Sequence, residues 1–166
     1  LAQAGNQWDI NHVIIDDELR DLFLQIPSNV LLEVYLDTCH SGTGLRAVDM
    51  LLDRKPRYLP PPSLEAFRQI EGRRSHGLTR ALLEKGSANH LLWAACRADQ
   101  TSADANIAGG WHGAFTYFFC KEMIASNNSL SRSQVLAKVR ADLAAGHYSQ
   151  VPQLEGEATK RLAKIA

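Results

Sequence analysis

Apolar positions along this chain change period several times, and each change marks an element. Leu19, Leu22, Phe23 and Ile26 fall at i, i+3, i+4 and i+7, which predicts a helix opened by Asp16, with one buried face and a stop at Pro27. Val30 to Leu36 is a nearly continuous apolar run, the pattern of a parallel strand covered on both faces. His90 to Ala95 predicts a second strand. The Gly109-Gly110 loop then leads into a helix whose Phe115, Phe118 and Phe119 share a face. A last helix is predicted from Ser131, which has capping-box spacing to Gln134, as far as Gly146, with Val135, Val139 and Leu143 along one side. The aromatic and aliphatic stripes are read as core contacts and assigned no cofactor. Strands alternating with helices predict an α/β sandwich.

Composition changes between the two strands. Arg54-Lys55-Pro56-Arg57, Pro60-Pro61-Pro62 and Arg73-Arg74-Ser75-His76-Gly77 mark residues 46–88 as an exposed linker, with one short helix around Ser63 to Ile70. The whole chain, 166 residues with 45% hydrophobic content, suits a single domain with one sizeable core. Its 18 basic and 18 acidic residues cancel, so no overall charge draws it to nucleic acid or to an anionic membrane. Cys39, Cys96 and Cys120 show neither a disulfide framework nor metal-site spacing, which makes a reducing, cytoplasmic setting the default. No stretch approaches the roughly 18 apolar residues of a membrane span. The first residue is Leu rather than Met, so the expectation is a segment or processed product of a longer protein.

Candidate chemistry concentrates at Leu36-Asp37-Thr38-Cys39-His40-Ser41-Gly42. A thiol at the exit of a buried strand lies where open α/β sheets gather their reacting groups, and it becomes a strong nucleophile once its thiolate is favoured. A lone cysteine in such a place is otherwise a structural, half-buried residue. Here the neighbours add weight, because Asp-x-Cys-His-Ser-Gly after an apolar strand resembles the catalytic-cysteine motif of metacaspases and related caspase-like peptidases. Further matching segments follow in order: Asp16-Asp17-Glu18-Leu19, Trp93 to Gln100, Gly113-Ala114-Phe115-Thr116 and Gln150 to Gly156. The resemblance runs from Ile14 to Gly156, is weakest between Arg46 and Ala88, and is to a bacterial-type metacaspase catalytic domain without its N-terminal segment.

That resemblance implies a caspase-like α/β/α sandwich with a mostly parallel central sheet. It divides the chain into the C-terminal part of a large-subunit region (1–45), a linker open to processing (46–88) and a small-subunit region (89–166). It also implies a Cys-His dyad with Cys39 as nucleophile. In caspases the His lies about 50 residues before the Cys, and only 38 residues precede Cys39. His12 is too close and lacks the family's Ser-Gly-His-Gly context. His40 is poorly placed as partner of its own neighbour, since successive side chains at a strand exit point to opposite sides. The expected base therefore belongs to an N-terminal segment outside this chain, which acts as its partner.

Asp37, two residues before the nucleophile, would set a carboxylate beside the scissile bond, and Arg or Lys is its natural complement. In metacaspases the matching Asp helps line a pocket for basic P1 residues; the competing role is a turn cap. Arg54, Lys55, Arg57 and especially Arg73 and Arg74 then become candidate self-processing sites in the linker. Asp16 and Asp17 match an Asp pair that holds Ca²⁺ in calcium-dependent metacaspases, and carboxylates at a helix start equally suit its free N–H groups. Arg46 departs from the calcium pattern where a further carboxylate is expected, and Asp49 lies farther along. The expectation is a cysteine endopeptidase acting on protein or peptide substrates with basic P1 residues, with possible calcium activation and a monomeric state. Its rivals are a catalytically inactive caspase-like scaffold and a redox-responsive thiol protein.

Overall fold

The computed structural model describes residues 3–4, 7–8, 14, 16–38, 54–57, 63–64 and 89–165. The chain forms two compact units, Leu1–Leu32 with Pro60–His90, and Glu33–Leu59 with Leu91–Ala166. In the first, β1 (Gln3–Ala4) pairs antiparallel with β2 (Gln7–Trp8), and α1 (Asp16–Leu24) follows. Bonds from Gln25 N–H to Leu22 O and from Ile26 N–H to Phe23 O tighten the last turn of α1 ahead of Pro27. Leu19, Phe23 and Ile26 are partly buried, whereas Leu22 is exposed, so the covered face is narrower than its spacing predicts.

A mixed sheet carries the site. β3 (Leu32–Leu36), β5 (His90–Ala94) and β8 (Gln153–Gly156) lie in the order β3-β5-β8. Leu32 N–H bonds to Asn89 O and Ala95 N–H to Leu36 O, so β3 and β5 run the same way. β8 pairs antiparallel with β5. The central strand is β5, and it meets the pattern expected of a strand covered on both faces: Leu91 to Cys96 are all buried. β3 does not, for among the described residues it has a strand on one side only, and Val30, Leu31 and Tyr35 are exposed.

Part of the proline-rich, charged stretch is ordered as β4 (Arg54–Pro56), which pairs with β6 (Ala103–Ile107), itself paired with β7 (Gly110–Gly113) in an antiparallel sheet of order β4-β6-β7. Ala108 (φ 54°) and Gly109 (φ 85°) make the two-residue turn between β6 and β7, the positive-φ pair that a tight hairpin demands. The sequence pattern shows only a loop there. Directly after β7 come α2 (Ala114–Ala125), α3 (Arg132–Ala145) and, beyond β8, α4 (Ala158–Leu162).

The core of this unit is built as the stripes predict. Leu91, Trp93 and Ala95 from one face of β5 meet Ala114 and Phe115 of α2, Val135, Val139 and Leu143 of α3, and Leu154 of β8. Ser131 caps α3: its hydroxyl accepts from Gln134 N–H while the Gln134 side chain accepts from Ser131 N–H. Glu33, the polar break in the apolar run of β3, also has a purpose. Arg132 Nε and Nη2 fork onto its carboxylate at 2.8 and 2.7 Å, and Trp93 Nε1 donates to it at 2.7 Å. Burial pushes the Glu33 carboxyl up, but the donors from Arg132 and Trp93 outweigh it and hold the group below its ordinary value. Arg132 also donates to Lys164 O at 2.6 Å, so one nearly buried side chain ties β3, α3 and the C-terminal segment together.

Candidate active site

Asp37 follows β3 directly, at the carboxyl end of a strand in parallel pairing, where such sheets place their ligands. Its carboxylate is firmly held. Oδ1 accepts from Ser102 Oγ at 2.7 Å, and Oδ2 accepts from Thr116 N–H at 3.1 Å and from Thr116 Oγ1 at 2.6 Å. Thr116 lies in the first turn of α2, whose N-cap is Gly113 and whose cap has no side-chain bond of its own. Asp37 supplies from β3 the carboxylate that the cap residue lacks, satisfying a free helix N–H and facing the positive end of the helix dipole. Gly113 makes room for it: a Cβ there would collide with Asp37 Oδ2.

Ser102 is held in turn. It is buried, and Gln150 Nε2 donates to its hydroxyl oxygen at 3.4 Å and to Ala95 O at 3.0 Å, while Gln150 Oε1 accepts from Ala103 N–H at 2.9 Å. Gln100 ties the neighbouring loop, donating to Ser149 O and accepting from Val151 N–H. Gln150 and Thr116 belong to segments whose pattern matched in the sequence without indicating a role, and Ser102 lies two residues beyond the Trp93 to Gln100 segment.

A guanidinium already faces Asp37. Arg57, just past β4, donates from Nη1 to Asp37 O at 3.2 Å, lies 3.7 Å from Oδ2, and donates from Nε and Nη2 to Asp104 Oδ1 at 3.3 Å each. A groove of about 630 Å³ opens beside it, lined by Arg57, Trp111, His112, Thr116, Tyr117, Cys120 and Lys121 among others.

Of the residues singled out in the sequence, Asp37 is placed in a built environment. Cys39, His12, His40, Arg46, Asp49, Arg73, Arg74 and the helix expected at 63–70, apart from Ser63 and Leu64, lie outside the described residues. Asp16 and Asp17 open α1. Arg54 lies in β4; its guanidinium donates to Gly146 O at 2.6 Å and His147 O at 2.8 Å, carbonyls at the end of α3, and stacks 3.8 Å over the Tyr148 ring. Lys55, its neighbour in β4, sits 4.1 Å over Trp111. Among the described residues no three His, Cys, Asp or Glu side chains cluster as a metal site, and no helix is long and apolar enough to cross a membrane.

The strand that carries Asp37 at its exit is followed in the sequence by Thr38-Cys39-His40, and the chain belongs to the caspase-type family: residues 3–163 match the profile described as Caspase domain. Among curated proteins it is similar to Metacaspase-1 of Pyricularia oryzae, with 30% identity over 87% of this chain and 43% of the relative. It is similar also to Metacaspase-1 of Schizosaccharomyces pombe, with 28% identity over 85% of this chain and 40% of the relative. The chain therefore spans less than half the length of these relatives.

Proposed function

We propose that this domain, in the protein that carries it, forms the nucleophile and specificity part of a cysteine endopeptidase cleaving after Arg or Lys. Cys39 Sγ attacks the scissile carbonyl to form a thioester, a His from a segment preceding this chain protonates the leaving amine, and water then releases the acyl product. Backbone N–H groups, that of Cys39 included, stabilise the oxyanion. The observation that carries the basic preference is the carboxylate of Asp37. It is held by three hydrogen bonds two residues before the thiol, and an arginine side chain already lies against it.

Self-processing belongs to the same reading, and Arg73-Arg74 is its favoured site. Arg54 and Lys55 are paired in β4 and would have to leave that strand to be cut. Calcium activation through Asp16 and Asp17 is proposed on the chemistry of the donors, hard carboxylate oxygens of the kind that ion takes. A cytoplasmic monomer acting on protein substrates completes the proposal.

The test uses the full-length protein and matched peptide amides with P1 Arg, Lys, Gln or Asp. The expected result is turnover of the Arg and Lys substrates alone, its loss with Cys39→Ala, and loss of the basic preference with Asp37→Asn. Full turnover by Cys39→Ala, or preference for Asp, would overturn the reading. A calcium titration of the same assay decides the role of Asp16 and Asp17.

A further inference from the structure

We propose that Arg57 is an internal competitor for Asp37, which a basic side chain of the substrate must displace; this deepens the reading above and rests on it. Arg132 and Arg57 each face a carboxylate held at or beside β3, and they do so differently. Arg132 is almost fully buried and forks onto Glu33 at 2.7 and 2.8 Å, the geometry of a permanent strut. Arg57 keeps 37% of its side chain exposed, and its contacts to Asp37 and Asp104 run from 3.2 to 3.7 Å. These are long for charge-assisted bonds.

Everything else about Asp37 is independent of Arg57. The donors that fix its carboxylate are Ser102 and Thr116, so removing the guanidinium leaves the acid in place with one flank open. Arg57 itself is anchored by its backbone, N–H to Ser102 O at 2.9 Å, so its side chain can swing while its Cα stays. It borders the groove beside α2, and Asp104 on β6, one-third exposed, is a second carboxylate that can keep hold of it after it leaves Asp37. An incoming P1 guanidinium or ammonium thus trades places with a loosely held internal one. Asp37 is nearly buried, but Arg57 keeps more than a third of its side chain exposed and its contacts are long, so its hold is weak. A partly occupied site lowers apparent affinity by its free fraction, and the competition is worth roughly three- to tenfold.

Benzamidine, an amidinium probe of a basic-side-chain site, measures this without turnover. In the full-length protein, calorimetric titration is expected to give Arg57→Gln a dissociation constant roughly three- to tenfold below wild type. Arg57→Lys, which keeps the charge without the fork, falls between them. Lys138→Gln, the same charge loss on the exposed side of α3, changes nothing, and adding Asp37→Asn to Arg57→Gln removes the gain. With a P1-Arg amide, KM falls by the same factor and kcat holds. Unchanged or weaker benzamidine binding by Arg57→Gln, a loss of kcat, or a variant that no longer folds makes Arg57 a strut and overturns the competition. If P1-Arg and P1-Lys substrates are still cleaved in that case, the basic specificity stands alone. If no form binds benzamidine or cleaves after a basic residue, the specificity reading falls and the competition falls with it.

Discussion

Replacing Gly113 with Ala tests whether the Asp37 carboxylate sits where the fold places it. The backbone at Gly113 has φ −61° and ψ 122°, open to any L-residue, so conformational strain contributes nothing. The obstacle is steric. The new methyl would collide with Asp37 Oδ2 and lie 2.7 Å from Arg57 Cζ and 2.9 Å from Asp37 Cγ. Arg57 can move aside; the carboxylate cannot without losing its bonds from Ser102 and Thr116. A hydrogen bond to a charged group contributes about 1.5–3 kcal/mol. Losing one or two of the three at about 2 kcal/mol each, against about 0.4–1 kcal/mol gained by restricting the unfolded chain, predicts a net destabilisation of about 1–3.5 kcal/mol. Urea unfolding of wild type, Gly113→Ala, Asp37→Ala and the double variant reads this as a cycle. The cost of Gly113→Ala should vanish when Asp37 is already Ala, leaving at most the gain of about 0.4–1 kcal/mol from the unfolded chain. A small effect in the wild-type background, or an equal one in both backgrounds, would refute the close approach of β3 to the start of α2. Gly109→Ala is the contrasting case: φ is 85° and nothing lies within 4 Å of the new methyl, so its cost is backbone strain of about 1–3 kcal/mol and does not depend on Asp37.

Removing Arg132 strands Glu33 in a largely buried site, so Arg132→Met should cost about 3–5 kcal/mol in the same assay, and adding Glu33→Leu should recover most of it; additive losses would contradict a coupled pair. Glu33 is held below its ordinary value, so its contribution is complete above the unfolded carboxyl value of about 4.3 and is lost as pH falls through the lower folded value. The stability difference between wild type and Glu33→Gln should accordingly narrow on acidification below about pH 4 and stay flat near neutrality. Ser131→Ala removes one half of the capping box and should lower stability by about 1 kcal/mol without altering activity.

Local pattern revealed what local forces decide. The 131–146 helix was legible in detail because its cap and its apolar stripe are both short-range signals, and Val135, Val139 and Leu143 are indeed buried. The β6–β7 hairpin was not, because Ala103-Asp104-Ala105-Asn106-Ile107 and Gly110-Trp111-His112-Gly113 lack strong alternation or β-branched content, and the turn rests on Ala108 and Gly109 rather than an Asn-Gly signal. β4 hid in a segment whose proline and charge suggest exposure; its pairing partner lies some 50 residues away, and Arg54 and Lys55 are accommodated by Tyr148 and Trp111. At the site, Asp37 was legible from its place before the thiol. Its supports were not, since Ser102, Thr116, Gln150 and Arg57 are gathered by strand order and helix placement, which no spacing in one sequence reveals. The polar interruption at Glu33 is likewise explained by Arg132 and Trp93, both far along the chain.

A peptidyl-arginyl chloromethylketone tests the central claim most directly, because it joins nucleophile and specificity in one covalent product. Treated full-length protein, digested and mapped by mass spectrometry, should carry the label on Cys39, formed at least about tenfold faster than with the aspartyl counterpart, a preference of the size a single charge-assisted contact gives. Cys120 is exposed and Cys96 buried, so plain iodoacetamide should find Cys120 before Cys96. Label from the arginyl reagent on Cys120 instead of Cys39, or equal rates for the arginyl and aspartyl reagents, would contradict a peptidase site read by Asp37.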